Sequence, residues 1–122
     1  MVYTGSGIDM LYNFLAAGST VRPTHLFFGN DAGTLISSIT MADIDNDFVR
    51  KAVTFTKNPT ALNYEVILLS TDGVGSYIDR FGLVTEATLD AGVLVTLDES
   101  ATGSKNSTFE TTVTGELIIE EA

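Results

Sequence analysis

The chain has 122 residues, of which 44% are hydrophobic and 18% are charged, and its formal net charge at pH 7 is −10. This length is typical of one domain, and the hydrophobic content is too high for a disordered chain. The excess of 16 acidic over 6 basic residues disfavours binding to nucleic acids or to anionic membrane surfaces, and the absence of cysteine excludes disulfides and thiolate metal sites.

The first predicted element is a short amphipathic helix over about residues 6–17. Its apolar residues recur at the i, i+3, i+4, i+7 spacing of one helix face: Ile8, Leu11, Tyr12 and Leu15. Ser6 is the predicted N-cap, and Gly18 is the predicted left-handed end of the helix. Because the apolar stripe must be covered, we predict that it packs over one end of the domain or against another subunit, with Met10 and Phe14 widening the contact.

After the helix, the pattern changes to short strands that are separated by turn residues. Predicted strands cover residues 25–28, 35–41, 49–56, 64–69, 77–85, 93–97 and 109–119. Residues 64–69 are apolar at nearly every position, which predicts a central strand buried on both faces. Residues 101–107 predict a polar loop, and residues 109–119 predict a strand with one buried and one wet face.

These elements predict a mainly β fold, an antiparallel β-sandwich or jelly roll of about seven to eight short strands with a short N-terminal α-helix. The sequence has no internal repeat and no interior linker. We therefore expect residues 1–122 to form a single domain, with the helix at about residues 6–17 and the sandwich at about residues 24–120.

An acidic segment comes nearest to a metal motif, with three alternating carboxylates at Asp43, Asp45 and Asp47. Counted from Asp43 as an EF-hand loop, position six is Phe48 instead of glycine and position twelve is Thr54 instead of glutamate. We therefore predict no metal ion and no cofactor, and interpret the segment as a solvated acidic turn or a short helix start, with a loose calcium site as the alternative. In both extended and helical geometry, Lys51 is the predicted basic partner.

No residue pattern predicts catalysis. His25, the only histidine, adjoins an apolar aromatic run and is interpreted as an edge or core residue. Nucleophile elbows, phosphate loops and dinucleotide-binding fingerprints are not present, so we predict that the chain is not an enzyme. Asn106 begins an Asn-x-Thr triplet, an acceptor pattern for glycosylation that also arises by chance.

Four features follow the helix in a fixed order: a strand that ends in a glycine-rich turn at 26–31, a Ser-x-Thr stretch at 38–40 that leads to Arg50, an aromatic strand with a Gly-Leu step at 78–83, and a threonine-rich run at 109–119. This order resembles the small β-sandwich structural proteins of tailed viruses, which decorate capsids or turrets or belong to the tail and fibre apparatus. The resemblance spans nearly the whole chain.

The resemblance implies a non-enzymatic virion protein that assembles in the host cytoplasm as a symmetric homo-oligomer and contacts other virion proteins. It implies no catalytic residue. The interface candidates are the helix stripe residues Ile8, Leu11, Tyr12 and Leu15. The alternative is a carbohydrate- or receptor-binding β-sandwich module, in which three aromatic side chains would contact a host-surface glycan or receptor: Tyr64, Tyr77 and Phe81.

Overall fold

The computed structural model describes residues 2–30, 38–44, 46–104 and 110–117. Within these ranges the chain forms one α-helix, α1 (Gly5–Ala17), and one 3₁₀ helix, Met41–Asp43. The strands are β1 (Val2–Tyr3), β2 (His25–Asn30), β3 (Asn46–Ala52), β4 (Thr54–Lys57), β5 (Leu62–Leu68), β6 (Tyr77–Val84), β7 (Thr96–Ser104) and β8 (Thr111–Leu117).

The strands form two antiparallel sheets. One sheet has five strands in the order β1-β7-β6-β2-β3, and the other has three strands in the order β4-β5-β8. The prediction of a mainly β, antiparallel β-sandwich with a single N-terminal helix is confirmed. Phe109, Ile118 and Ile119 of the last predicted strand lie outside the described residues.

Apolar side chains form two cores, because neighbouring residues of a strand point to opposite faces of its sheet. The core between the sheets contains Leu26, Phe28, Tyr64, Val66, Leu68, Ile78, Leu83 and Val95. A second cluster lies on the other face of the five-stranded sheet and contains Phe27, Ile39, Ile44, Val84, Leu94 and Leu97. Segment 38–44 supplies the cover for this second cluster through Ile39 and Ile44, so β2 is buried on both sides.

Two glycines allow the chain to pack closely around Phe27. A Cβ atom added to Gly82 would overlap the carbonyl oxygen of Thr96, and one added to Gly29 would overlap that of Asn46. Both added atoms would also press on the Phe27 ring, which lies over the two glycines. The ring thus takes the space that side chains would otherwise occupy at positions 29 and 82.

The predicted single strand at 49–56 is wrong, because the structure divides it between the two sheets. β3 ends at Ala52 and β4 begins at Thr54, so the chain crosses from one sheet to the other at Val53. Val53 itself packs against the core between the sheets. Since both halves face the same core, the period-two alternation continues across the change of sheet and does not reveal it.

The prediction that residues 64–69 are buried on both faces is also wrong. β5 lies at the centre of its sheet, but its burial alternates, with Tyr64 buried and Glu65 and Ile67 exposed. An apolar residue such as Ile67 can remain on the solvent side of a sheet, because folded proteins expose much apolar surface. A continuous apolar run is therefore compatible with a half-buried strand.

Two further segments differ from the predictions. Of the predicted strand 35–41, residues 35–37 lie outside the described residues. Met41 begins the 3₁₀ helix, whose N-cap is Thr40 and whose Asp43 carboxylate accepts the Thr40 N–H. β7 continues to Ser104 through the predicted polar loop 101–107, because it pairs with β6 as far as Tyr77 opposite Ser104. Backbone pairing needs no apolar side chains, so composition does not reveal this extension.

Candidate functional site

The first turn of α1 is fixed tightly to the sandwich. Thr4 is fully buried and is the N-cap in place of the predicted Ser6. Its Oγ1 accepts a hydrogen bond from the Gly7 N–H at 2.9 Å and donates to the Leu94 carbonyl, while its own N–H donates to the Val95 carbonyl at 3.0 Å. Threonine and serine are both favourable N-cap residues. The contacts of Thr4 with Leu94 and Val95 place the start of the helix at Thr4 and not at Ser6.

Gly7 explains how α1 approaches the sheet so closely. A Cβ atom at this position would lie 2.6 Å from the Val95 carbonyl oxygen and 2.8 Å from its Cα. Gly7 lies within the predicted helix, at the contact of α1 with the sandwich. The other end agrees with prediction, because Gly18 ends α1 in the left-handed conformation, with φ of 69°.

The rest of α1 is largely exposed. The exposed fractions of the four interface candidates are 40% for Ile8, 40% for Leu11, 62% for Tyr12 and 71% for Leu15, and Phe14 is 51% exposed. A helix of 13 residues is marginal in water without tertiary packing. The described part of the chain therefore leaves an apolar helix face uncovered, most fully in the second half of α1.

A groove of about 630 Å³ lies beside α1 at one end of the sandwich. Ile8, Met10 and Leu11 form its wall on the side of α1. Opposite them, the ends of the three-stranded sheet contribute Phe55, Leu62 and Leu117. This volume and this predominantly apolar lining are typical of binding pockets.

Charge is nearly absent from this surface. Within α1 the single charged residue is Asp9, whose carboxylate accepts a hydrogen bond from the Asn13 side chain at 3.5 Å. Among the described residues that line the groove, Arg22 is the only charged one. The surface formed by α1 and the groove therefore carries one acidic and one basic side chain in a chain whose net charge is −10.

The acidic segment is used in contacts within the chain. The Asp43 carboxylate accepts the Thr40 N–H at 2.8 Å, and Asp47 is buried in an ion pair with Arg50, with 2.7 Å between Asp47 Oδ2 and Arg50 Nη2. Asp45 lies outside the described residues. Within the described ranges, no three His, Asp or Glu side chains come together in a way that could hold a metal ion.

The predicted partner of the aspartates, Lys51, is wrong. Arg50 pairs with Asp47, and the Lys51 ammonium lies 2.9 Å from the Asp72 carboxylate. The reason is an irregularity in the pairing of β2 and β3, where Phe28 is opposite Val49 but Gly29 is opposite Asp47. The additional residue in β3 reverses the alternation and brings Asp47 and Arg50 to one face.

The Arg50–Asp47 pair also holds the loop that follows β6. Arg50 Nη1 donates to the carbonyls of Glu86 at 2.8 Å and Ala91 at 2.9 Å, and Asp47 Oδ2 accepts the Asp90 N–H at 2.9 Å. The sequence pattern predicts Lys51 as the basic partner of the aspartates and does not reveal this role of Arg50. These contacts make the pair an internal clamp between β3 and the loop at 86–91.

The three candidate aromatic side chains do not form a common exposed surface. Tyr64 is buried and meets Phe55 edge-to-face, with 6.3 Å between ring centroids. Phe81 stacks on Phe28 at 6.3 Å, and Tyr77 is exposed. Burial raises the pKa of Tyr64 to about 12, with smaller contributions from the nearby Asp98 carboxylate and from Tyr3.

His25 and Asn106 are the remaining residues that the sequence analysis considered for a function. His25 is half-buried in β2, between β3 and β6, and its Nδ1 lies 2.8 Å from Thr24 Oγ1. Asn106 lies outside the described residues. Among the residues described, no helix combines the length and apolar character that crossing a membrane requires.

Sequence reasoning found the apolar helix face but missed its surroundings. Arg22, Phe55 and Leu117 are far apart in sequence and meet only in the folded chain. Gly7 offered the one local signal, because glycine is a poor helix former and its presence in a first turn favours a close contact. No protein-family model, curated protein or solved structure matches this chain.

Proposed function

We propose that this chain is a non-enzymatic structural protein of a tailed virus that assembles as a symmetric homo-oligomer in the virion. The observation that carries the proposal is the exposed apolar face of α1, where Leu15 is 71% exposed and Tyr12 is 62% exposed. Large apolar patches on folded chains mark surfaces that other molecules cover. In a structural protein, such a patch is permanently covered by a neighbouring subunit.

The place in a virion rests on the ordered features that resemble small structural proteins of tailed viruses. A β-sandwich with one N-terminal helix is the fold that this resemblance implies. Neighbouring virion proteins are the additional partners, and the protein joins the particle in the host cytoplasm. Because one fold serves many functions, the fold does not test this assignment, and the protein must be sought in purified virus particles.

The contacts of the buried polar groups support a structural role. Asp47 and Arg50 hold a loop, and Thr4 holds the first turn of α1. The groove beside α1 has an apolar lining with Arg22 as the one charged group among its described residues. The internal contacts stabilise the fold, and the groove offers an apolar surface for a neighbouring subunit. Assembly requires both.

Oligomeric state is the first test. Native mass spectrometry and sedimentation of the purified chain, from low to high micromolar concentration, should show one closed oligomer of defined stoichiometry. A monodisperse monomer at high micromolar concentration in both low and high salt would contradict the proposal.

Particle composition is the second test. Mass spectrometry of purified particles of the virus that encodes this chain should find the protein at a fixed ratio to the major capsid or tail proteins. A protein abundant in infected cells but missing from purified particles would overturn its virion assignment and leave the oligomer standing.

Recognition of a host-surface glycan is a second candidate function, favoured by one observation. The outer face of the three-stranded sheet forms an open concavity of about 830 Å³, lined in part by Thr54, Thr56, Asn63, Glu65 and Glu116. These side chains offer hydrogen-bond donors and acceptors for sugar hydroxyls. Glycan-array binding that is lost in Glu65→Ala, by a chain that remains monomeric, would favour this function over assembly.

A further inference from the structure

We infer that the partner of α1 is a second copy of this chain, with the second half of each helix seated in the groove of the other copy about a two-fold axis. This inference rests on the proposed assembly function and names its interface. It assigns two parts to the interface: a knob formed by Phe14 and Leu15, and a recess formed by the groove.

The knob and the recess belong to one continuous apolar surface. Leu11 lines the groove, and Phe14 and Leu15 follow it at i+3 and i+4, on the same face of α1. Neither Phe14 nor Leu15 is among the described residues that line the groove, and both are more than half exposed. The helix face thus begins inside the recess and continues past it.

A surface that carries both a knob and a recess is self-complementary. In a two-fold dimer the same patch is used by both subunits, so that each knob meets the other subunit's recess. The groove of about 630 Å³ is large enough to receive side chains of this size. One symmetric contact would then cover both apolar features of each copy.

Charge permits a second copy at this surface. Two chains of net charge −10 repel each other wherever their carboxylates meet. Among the described residues, the α1 and groove surface carries one acidic side chain, Asp9, and one basic side chain, Arg22, which balance each other. Copies can therefore associate here with little repulsion between the two contacting surfaces, whereas anionic lipids and nucleic acids are repelled by the net charge of the chain.

The anchoring of α1 sets the knob in place before association. Thr4 and Gly7 fix the first turn against Leu94 and Val95. The groove wall includes Val95 as well, so knob and recess share one rigid support. Pre-organisation of this kind lowers the entropy that binding must offset.

Cross-linking between copies is the direct test, because a chain with no cysteine gives clean single-cysteine variants. A tagged Leu15→Cys chain is mixed with untagged Phe55→Cys, Leu62→Cys or Leu117→Cys chains and treated with a short bismaleimide. The expected result is a mixed cross-link with at least one of the three groove positions. The matched control is Asn13→Cys, which lies on the other side of α1 and should give little product.

A charge placed on the knob gives a second test. Leu15→Glu should raise the dimer dissociation constant by about 100-fold or more, as expected for loss of a buried apolar anchor. Its melting temperature as a monomer should stay close to that of the parent, since Leu15 is mostly exposed in the single chain. Asn13→Glu, which adds the same charge on the other side, should retain the dimer.

The outcomes separate this inference from the proposed function. An oligomer that survives both Leu15→Glu and Phe14→Glu, or cross-links equally well through Asn13→Cys, overturns the helix-into-groove contact and leaves assembly standing. A parent chain that is monomeric at high micromolar concentration overturns both. A monomer that binds laurate in the groove, with loss of binding in Arg22→Gln, would show that the recess serves an amphiphile and would also overturn the inference.

Discussion

The side chains of Arg50 and Asp47 are almost completely shielded from solvent, at 1% and 0% exposure, and depend on each other for their charge balance. Taking two charges out of water is costly, so a buried pair is stable only when both partners and their further hydrogen bonds are present. Arg50 satisfies this condition through its donation to the Glu86 and Ala91 carbonyls.

Replacement of Arg50 by Met should lower the free energy of unfolding by about 3–5 kcal/mol, because Asp47 would remain as an uncompensated buried carboxylate. Urea denaturation measures the loss. In the Asp47→Asn/Arg50→Met double variant, part of the stability should return because the buried charge is gone.

Lys51→Met is the matched control for this prediction. Lys51 and Asp72 are both partly exposed, and pairs of this kind contribute at most about 1 kcal/mol. If Lys51→Met costs as much as Arg50→Met, the clamp assigned to Arg50 is wrong.

Tyr64 should make the fold sensitive to alkaline pH. Its pKa is raised from 10.0 to about 12 in the folded chain, mainly by burial. The unfolded chain therefore loses the Tyr64 proton first as pH rises. The stability linked to this group is complete below about pH 10 and is lost as the pH approaches about 12, by about 3 kcal/mol in total.

The Tyr64→Phe variant tests this linkage, because it keeps the ring and removes the ionising group. Urea denaturation as a function of pH should show a weaker alkaline loss of stability than in the parent. Tyr12→Phe, which removes an exposed phenol, is the control and should follow the parent curve. An unchanged alkaline loss in Tyr64→Phe would contradict the assignment.

Among the elements, α1 depends on its first turn. Thr4→Val preserves the shape of the side chain but removes the hydroxyl that accepts from Gly7 and donates to Leu94. We expect a loss of about 1–2 kcal/mol in stability, in the range of N-cap substitutions. Faster chymotrypsin cleavage at Tyr12 and Phe14 should accompany it, because a loosened helix exposes its backbone.

Ser6→Ala is the companion variant, since the sequence alone favours Ser6 as the cap. The structure places Ser6 inside α1, so this substitution should change stability by less than about 0.5 kcal/mol. If Ser6→Ala loses more stability than Thr4→Val, the assignment of Thr4 as the N-cap is wrong.

The elements that the sequence predicts well are those with local signals. The helix stripe and the strand at β6 follow from periodicity and turn residues within a few positions. The crossing at Val53 was not predictable, because its alternating pattern suits either sheet. The end of β7 at Ser104 was not predictable either, because pairing with β6 depends on backbone groups and not on side-chain polarity.

The candidate site also has one part that local sequence signals predict and one part that they do not. The exposed residues of α1 could be predicted, because the spacing of Ile8, Leu11 and Leu15 defines a face within one element. The groove could not, because Arg22, Phe55 and Leu117 are brought together only by the packing of both sheets. The partner of Asp47 was missed because one irregularity in β3 reverses the alternation on which the Lys51 prediction depended.

For the whole molecule, the net charge of −10 predicts that salt stabilises the fold. Repulsion among carboxylates opposes compaction, and the screening length falls from about 10 Å at 0.1 M salt to about 3 Å at 1 M. The melting temperature should therefore rise with added NaCl over this range. A flat or falling melting temperature would show that the folded chain has already offset its acidic excess.

The attachment of α1 to Leu94 and Val95 has a consequence for synthesis. Thr4 leaves the ribosome about 90 residues before its hydrogen-bond partner. At about 5–20 residues per second, the segment that forms α1 is synthesised roughly 5–20 s before Leu94 and Val95, which anchor it. During that interval the apolar segment 5–17 is exposed to chaperones and to neighbouring nascent chains on the same message.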